Sequence, residues 1–184
     1  MVAIAGPNGA GKSTFYRAFL ARAGFHFINA DVLAREMDLD PYEAARIAGE
    51  LREALVKRRK SFVFETVFSD PVGDKVNFMK GAAEEGYTLS LCFIGVDSPE
   101  TSEERVAMRV SQGGHDVPTE KLISRFSRTM ANLKKGLLDL PLVHVYDNTN
   151  LREPFRHVVT TSDGKVLFQA DRFPAWLAPL LPGS

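Results

Sequence analysis

With 184 residues, 45% of them hydrophobic and 25% charged, the chain has enough apolar content to close a full core, and one domain spanning 1–184 is expected. The 23 acidic and 23 basic residues cancel, which argues against a general nucleic-acid binder with its basic surplus. A lone cysteine, Cys92 within an apolar run, excludes a disulfide framework and a cysteine-based metal cluster, and suits a buried thiol in a reducing compartment. No run approaches the ~18 apolar residues of a membrane span and the N-terminus lacks a charged leader, so a cytoplasmic protein without membrane contact is expected.

Val2 to Ala5 reads as a buried strand, close enough to the start of the chain that a few further residues upstream are expected. It runs into Gly6-Pro7-Asn8-Gly9-Ala10-Gly11-Lys12-Ser13-Thr14, a full match to G-x-x-x-x-G-K-[ST]. Glycines at these places let the backbone curl so that several N–H groups face a phosphate, and the positive end of the following helix adds to their pull. In this P-loop Lys12 reaches the β- and γ-phosphates and the Ser13 hydroxyl ligates Mg²⁺. The helix after it should run to about Ala23, with Phe15, Phe19 and Leu20 on one face and Gly24 as its stop.

Phe25 to Ile28 is a second short strand, delivering Asn29-Ala30-Asp31 at its exit, where ligands collect in open α/β sheets. A helix over 32–37 follows, for which Asp31 could serve as N-cap. Asp40-Pro41-Tyr42-Glu43 opens the next helix, with Ile47, Leu51 and Leu55 expected inward and a solvated Lys57 to Lys60 end. Ser61 to Phe64 is the third strand, with Glu65 and Thr66 at its exit. Asp70-Pro71 should cap a helix burying Val72, Val76, Met79 and Ala83. Thr88 to Val96 reads as a central parallel strand, Ser98-Pro99 as the start of a charged helix, and Gly113-Gly114 as its break. A long helix from Pro118 to about Leu138 carries Leu122, Phe126, Met130, Leu133 and Leu137 at helical spacing. Leu142 to Tyr146 is the fifth strand. Phe155 to Thr160 and Lys165 to Gln169 then flank a hairpin signal at Ser162-Asp163-Gly164, and the tail from Phe173 to Leu181 could cover the core with Trp176. Strands alternating with helices predict a P-loop fold of kinase type: a five-stranded, mostly parallel sheet with a C-terminal antiparallel hairpin.

No guanine-specifying Asn-Lys-x-Asp is present, and Asp70-Pro71-Val72-Gly73 matches D-x-x-G only as a helix cap. Ser111 to Gly114 resembles the transporter-ATPase signature superficially, on a chain too short for that domain. Kinase chemistry needs a carboxylate past the second strand to take the acceptor's proton, and mobile arginines to neutralise the phosphoryl group in flight. Asp31, about 20 residues beyond the P-loop, is the candidate base. Arg35, one turn on, could hold substrate, pair with Asp31 or lie on the surface. Glu65 could bind a substrate hydroxyl, hold Mg²⁺ through water or cap a helix. Arg105 and Arg109 share a helix face toward the Gly113-Gly114 break, as a lid would require, although Arg105 could instead pair with Glu100, Glu103 or Glu104. Arg125 could lean over the nucleotide, Arg128 reads as solvated, and His115 beside Asp116 is a candidate substrate contact.

Taken together, the P-loop, Asn29-Ala-Asp31, Phe64-Glu-Thr66, the segment Arg109 to Pro118, Arg125-Phe-Ser-Arg128 and Tyr146-Asp-Asn148 resemble the zeta-toxin-like P-loop kinases. The nearest branch is the compact, stand-alone one often labelled predicted ABC-type ATPase. This resemblance spans roughly 2–180 and implies ATP- or GTP-dependent phosphorylation of a sugar hydroxyl, with UDP-N-acetylglucosamine as the acceptor of the best-known zeta toxins. It implies Lys12 on the phosphates, Asp31 as base, Arg109 and Arg125 as phosphate-binding arginines, and Glu65 on the substrate side; Thr66, Arg35 and His115 are further substrate-side candidates beside it. An antitoxin protein is the partner it implies. The chain lacks much of the insertion that larger zeta toxins carry between the third strand and the lid. Two alternatives stand beside this reading: a 5′-hydroxyl polynucleotide kinase, and a nucleotide-dependent binding module without catalysis.

Overall fold

The computed structural model describes residues 1–111 and 118–183, with the backbone alone at Arg109. Seven strands form a single sheet in the order β2-β3-β1-β4-β5-β6-β7. They are β1 (Val2–Ala5), β2 (His26–Ile28), β3 (Phe62–Thr66), β4 (Ser90–Gly95), β5 (Val143–Asp147), β6 (Arg156–Ser162) and β7 (Lys165–Gln169). The first five in that order run parallel and the last two antiparallel. The expected five-stranded sheet is therefore extended by its own hairpin, which pairs onto β5 instead of standing apart. Asp163 and Gly164, both at positive φ (48° and 76°), make the two-residue turn whose twist suits paired strands.

Alternation along the central strands divides the core. Ala3, Phe62, Phe64, Leu91, Phe93, Val143 and Val145 face one side, and Ile4, Val63, Cys92, Ile94 and Tyr146 the other. Helices α3 (Pro41–Lys57), α4 (Asp74–Glu84) and α6 (Thr119–Asp139) put Ala48, Val76, Met79, Leu133 and Leu137 into the first cluster. The second is covered by α1 (Lys12–Phe15), which continues as a π-helical turn over Tyr16–Leu20 and a 3₁₀ turn over Ala21–Ala23 before Gly24 ends it at φ 69°. The helical run ends where the sequence predicts, but Phe15 is buried while Phe19 is exposed, because the wider turn rotates the later residues off the core.

Other expectations shift for identifiable reasons. Helix α2 (Ala30–Met37) starts two residues earlier than expected, because Asn29, not Asp31, is its cap: the Asn29 side chain accepts from the N–H groups of Asp31 and Val32 at 2.8 and 3.2 Å. Asp40 caps α3 as expected, accepting from Tyr42 and Glu43. The inward face of α3 is Ala44, Ala48 and Arg52, with Leu51 exposed, since small residues let the helix lie close to the sheet. In α4 the cap is Gly73, so Val72 precedes the helix and is exposed, and the Asp70 carboxylate accepts from the Asp74 N–H and, at 3.5 Å, from the Asn132 amide. The loop between β3 and α4 is held from α6, where Thr129 donates to the Val67 carbonyl (2.8 Å) and the buried Asn132 amide to those of Phe68 and Asp70.

The tail covers the core at the exits of β4 and β5, as expected of Trp176, whose ring lies against Phe93 and over Gly95. A Cβ at Gly95 would collide with the indole. Gly95→Ala should therefore lower stability by about 1–3 kcal/mol, the usual range for overpacking. Urea denaturation of the variant, followed by Trp176 fluorescence, measures this directly.

Candidate nucleotide and phosphoryl-transfer site

The P-loop lies between β1 and α1 at the edge where the parallel strands end. Its glycines have backbone that side chains resist: Gly9 and Gly11 are at φ 73° and 93°, and a Cβ at Gly6 would strike the Ile94 carbonyl on β4. Two side-chain contacts fix the loop from outside, and a backbone bond to β4 holds the second of them in place. Ser102 of α5 (Pro99–Val110) donates to the Asn8 carbonyl at 2.5 Å, Asn148 donates to the Ala10 carbonyl at 2.8 Å, and the Asn148 N–H bonds the Gly95 carbonyl. Lys12 is buried, its ammonium 2.9 Å from the Pro7 carbonyl, so the cation lies folded over the loop it belongs to. The Asn8 side-chain oxygen is buried without a partner among the described residues.

Ser13 is exposed and donates to a Glu65 carboxylate oxygen at 2.8 Å. The same oxygen accepts from the Asn29 amide at 2.9 Å, and the Asn29 carbonyl oxygen takes the Asp31 N–H. One chain of hydrogen bonds thus runs from P-loop serine to the first turn of α2. Register explains the meeting: Ile28 pairs with Phe64 and Ala5 with Thr66, so Asn29, Glu65 and the loop after Ala5 all leave the sheet at one level. Of the roles open to it, Glu65 takes a place against the Ser13 hydroxyl, the expected metal ligand. Asp31 is exposed on that first turn and Arg35 is exposed one turn on. The Thr66 hydroxyl accepts from the Phe68 N–H at 3.0 Å, closing a local turn.

Among the described residues Arg105 forms none of the ion pairs open to it with Glu100, Glu103 or Glu104. It donates instead to the Thr149 carbonyl at 2.8 Å, across from α5 to the β5 exit. Arg125 is half-buried on α6, and Arg128 is exposed with its Nε on the Ser124 carbonyl. The Arg109 side chain and His115, with the Gly113-Gly114 break, lie outside the described residues.

A pocket of about 310 Å³ opens beside Gly9, Gly11 and Thr14, walled by Arg105, Met108, Asn148, Leu151, Pro154 and Phe155. Its size and largely apolar walls suit the base of a nucleotide whose phosphates lie on the loop. The sequence reading missed Asn29 and most of this wall. Asn29 carried a signal, as a cap-forming residue before a helix; the wall comes from a turn far along the chain with no motif. A broader cleft of about 580 Å³ lies by Asp97, Asp147, Arg156 and Trp176. There Asp147 is already paired with Arg156 at 3.0 Å. Burial alone would push the Asp147 carboxyl up, but hydrogen bonds from Thr149, Arg156 and Trp176 outweigh it and hold the group below the ordinary carboxylate value.

A five-stranded parallel core in this order, with a P-loop after β1 and a carboxylate past β2, defines a P-loop fold of kinase type. The chain belongs to the AAA domain family, whose model matches residues 1–134. It is 30% identical over 126 residues to an uncharacterized protein of Haemophilus influenzae (strain ATCC 51907 / DSM 11121 / KW20 / Rd), covering 66% of this chain and 88% of that one. Among solved structures, AvrRxo1-ORF1 in complex with AvrRxo1-ORF2 and ATP is similar in fold over all of this chain, with TM-score 0.72 at 16% identity. The chain spans 64% of the length of that protein. The PezAT chromosomal toxin-antitoxin system of Streptococcus pneumoniae is similar over the whole chain and 77% of its own, with TM-score 0.59 and 19% identity. No helix among the described residues is long and apolar enough to cross a membrane.

Two measurements test the local framework. Asn29→Ala should cost about 1 kcal/mol, the usual worth of a cap, and Asn29→Asp should recover the cap without restoring the amide donor to Glu65. Thermal denaturation of both variants separates the two roles. For Asp147, a carboxyl held low stabilises the fold above its ordinary value near 3.8 and loses that contribution as pH falls through its lowered value. The stability gap between wild type and Asp147→Asn should therefore be full at neutral pH and shrink below pH ~4 in urea titrations.

Proposed function

We propose that the chain is a kinase that moves the γ-phosphate of ATP, with GTP as the other nucleotide to test, onto a hydroxyl of a small molecule. A sugar nucleotide such as UDP-N-acetylglucosamine is the acceptor the family resemblance favours. The observation that carries this reading is the division of labour between two carboxylates: Glu65 is bound to the P-loop serine, while Asp31, linked to it through Asn29, is left exposed toward the acceptor side.

Asp31 takes the proton of the acceptor hydroxyl as its oxygen attacks the γ-phosphorus, the bond to the β–γ bridging oxygen breaks and ADP leaves. Lys12 and the N–H groups of the loop hold the phosphates, and Arg125 and Arg109 supply charge to the transferring group. Ser13 and Glu65 offer only hard oxygen donors, side by side at the phosphate end of the site, and such a set fits Mg²⁺. The ion supplies neutralisation of the charge on the β- and γ-phosphates. Arg35, Thr66 and His115 stand on the acceptor side in this reading. A cytoplasmic location and an antitoxin-like protein partner belong to it too; for the partner, the support is the complexed state of the AvrRxo1 and PezAT proteins.

Asp31→Asn should lower kcat by about 10²–10⁴-fold, the usual worth of a general base, with nucleotide affinity retained. Transfer of γ-labelled phosphate from ATP to a panel of nucleotide sugars, with nucleotide binding followed by calorimetry, checks both. Label reaching only 5′-hydroxyl oligonucleotides would replace the acceptor class, and nucleotide binding without transfer to any acceptor would reduce the protein to a binding module.

A further inference from the structure

Arg52 is the one cation on the inward face of α3, between Ala48 and the sheet, and it is 8% exposed. No carboxylate lies within ion-pairing distance of it among the described residues; Glu53, next in sequence, points to solvent. Its Nε is sealed from water with no hydrogen-bond partner among the described residues. The guanidinium lies over the rings of Phe64 and Phe78, at 5.3 and 5.8 Å. Two aromatic faces stabilise a cation but supply no acceptor for Nε, and a largely buried charge without a counter-ion is among the costlier things a fold can hold. Burial accordingly lowers the affinity of this guanidinium for its proton.

The direction of the fork gives the arrangement meaning. Helix α3 leads within a few residues into Phe62 at the start of β3, and the Tyr87 hydroxyl ties Leu55 and Lys60 at that same end. The N-terminal part of α3 therefore rises toward the edge where the strands exit. Helical side chains lean toward the helix N-terminus. Arg52 does so, with Nη2 3.6 Å from where a Cβ on Gly49 would be, one turn back. Phe62, Phe64 and Thr66 alternate onto one face of β3, and the guanidinium lies over Phe64, two residues before Thr66 at the strand exit, on the side of the sheet away from the P-loop helix and the base pocket.

We propose that Arg52 anchors an anion subsite, which takes a phosphate or carboxylate borne by the acceptor whose hydroxyl Asp31 deprotonates. The placement on the acceptor side rests on the kinase reading given above; the anion site does not. A guanidinium with its fork unoccupied matches the paired oxygens of such groups, and Arg52 then gains the counter-ion that the chain withholds.

The test uses the full chain with its P-loop filled by Mg²⁺ and a non-hydrolysable ATP analogue, so that added anion cannot bind there. Inorganic phosphate in one series and malonate in another are titrated while thermal unfolding is followed. Wild type should show a saturable rise in Tm with at least one of the two, and the series that responds names the oxyanion. Arg52→Met should lose that response and, without anion, unfold no earlier than wild type, because an unneutralised charge has been replaced by apolar volume. Arg52→Lys, which keeps the charge without the fork, should bind the same anion about tenfold or more weakly. An unchanged anion response in Arg52→Met, or no response to either anion in wild type, would overturn the subsite. Arg52-dependent anion binding in a protein that transfers phosphate to nothing would sink the kinase reading alone.

Discussion

One oxygen of the Glu65 carboxylate holds the site together. It accepts hydrogen bonds from Ser13 and Asn29, which belong to two other strand–helix junctions, and so joins the exits of β3, β1 and β2 at a single point. Three adjacent parallel strands must end at one level for this to happen, and their register makes them do so. A charged acceptor shared by two donors is also stiffer than a neutral one, because each bond is charge-assisted. The serine of the phosphate loop and the cap of the helix bearing Asp31 are thereby positioned relative to each other.

Around this point the two halves of the site are built by different means. The nucleotide half is backbone and loop: glycines at positive φ, carbonyls fixed by Ser102 and Asn148, and a wall of Met108, Leu151 and Phe155. The acceptor half, in the kinase reading proposed above, is side chain on helix, with Asp31 and Arg35 on α2 and Arg52 on α3. Helices α2 and α3 pack against each other while α3 rests on the sheet through alanines. Changes of acceptor can therefore be written in α2 and α3 without altering the loop that grips phosphate.

The parts of the fold legible in the sequence were those governed by local chemistry. The P-loop, the Asp40-Pro41 helix start, the apolar run of β4 and the Asp163-Gly164 turn each specify their own backbone, and the structure follows them. What escaped was decided by tertiary packing. Nothing local says that Ala44 and Ala48 face inward while Leu51 faces water; the close approach of α3 to the sheet decides it. Arg105 has three glutamates within five residues, but none at the i,i+3 or i,i+4 spacing that would make them neighbours on the helix, and it turns to a carbonyl supplied 44 residues later in the chain. The residues expected of kinase chemistry were visible by type and spacing, but the Asn29 bridge and the Phe155 wall exist only once distant strand exits are side by side.

The bond from Asn148 to the Ala10 carbonyl joins residues 138 positions apart, and Gly6 rests against Ile94 of a strand formed much later than β1. The phosphate loop thus leaves the ribosome well before the segments that give it its shape. Its neighbours in the sheet, β3 and β4, must both have been made before β1 has a partner on either side. Contacts of such long sequence separation slow folding, because loop closure must precede any stabilisation they bring. A nascent chain therefore exposes a glycine-rich, anion-seeking segment that cannot grip a nucleotide until the β5 exit has arrived. Ligand binding then reports completed synthesis of the fold and stabilises only chains that have reached it.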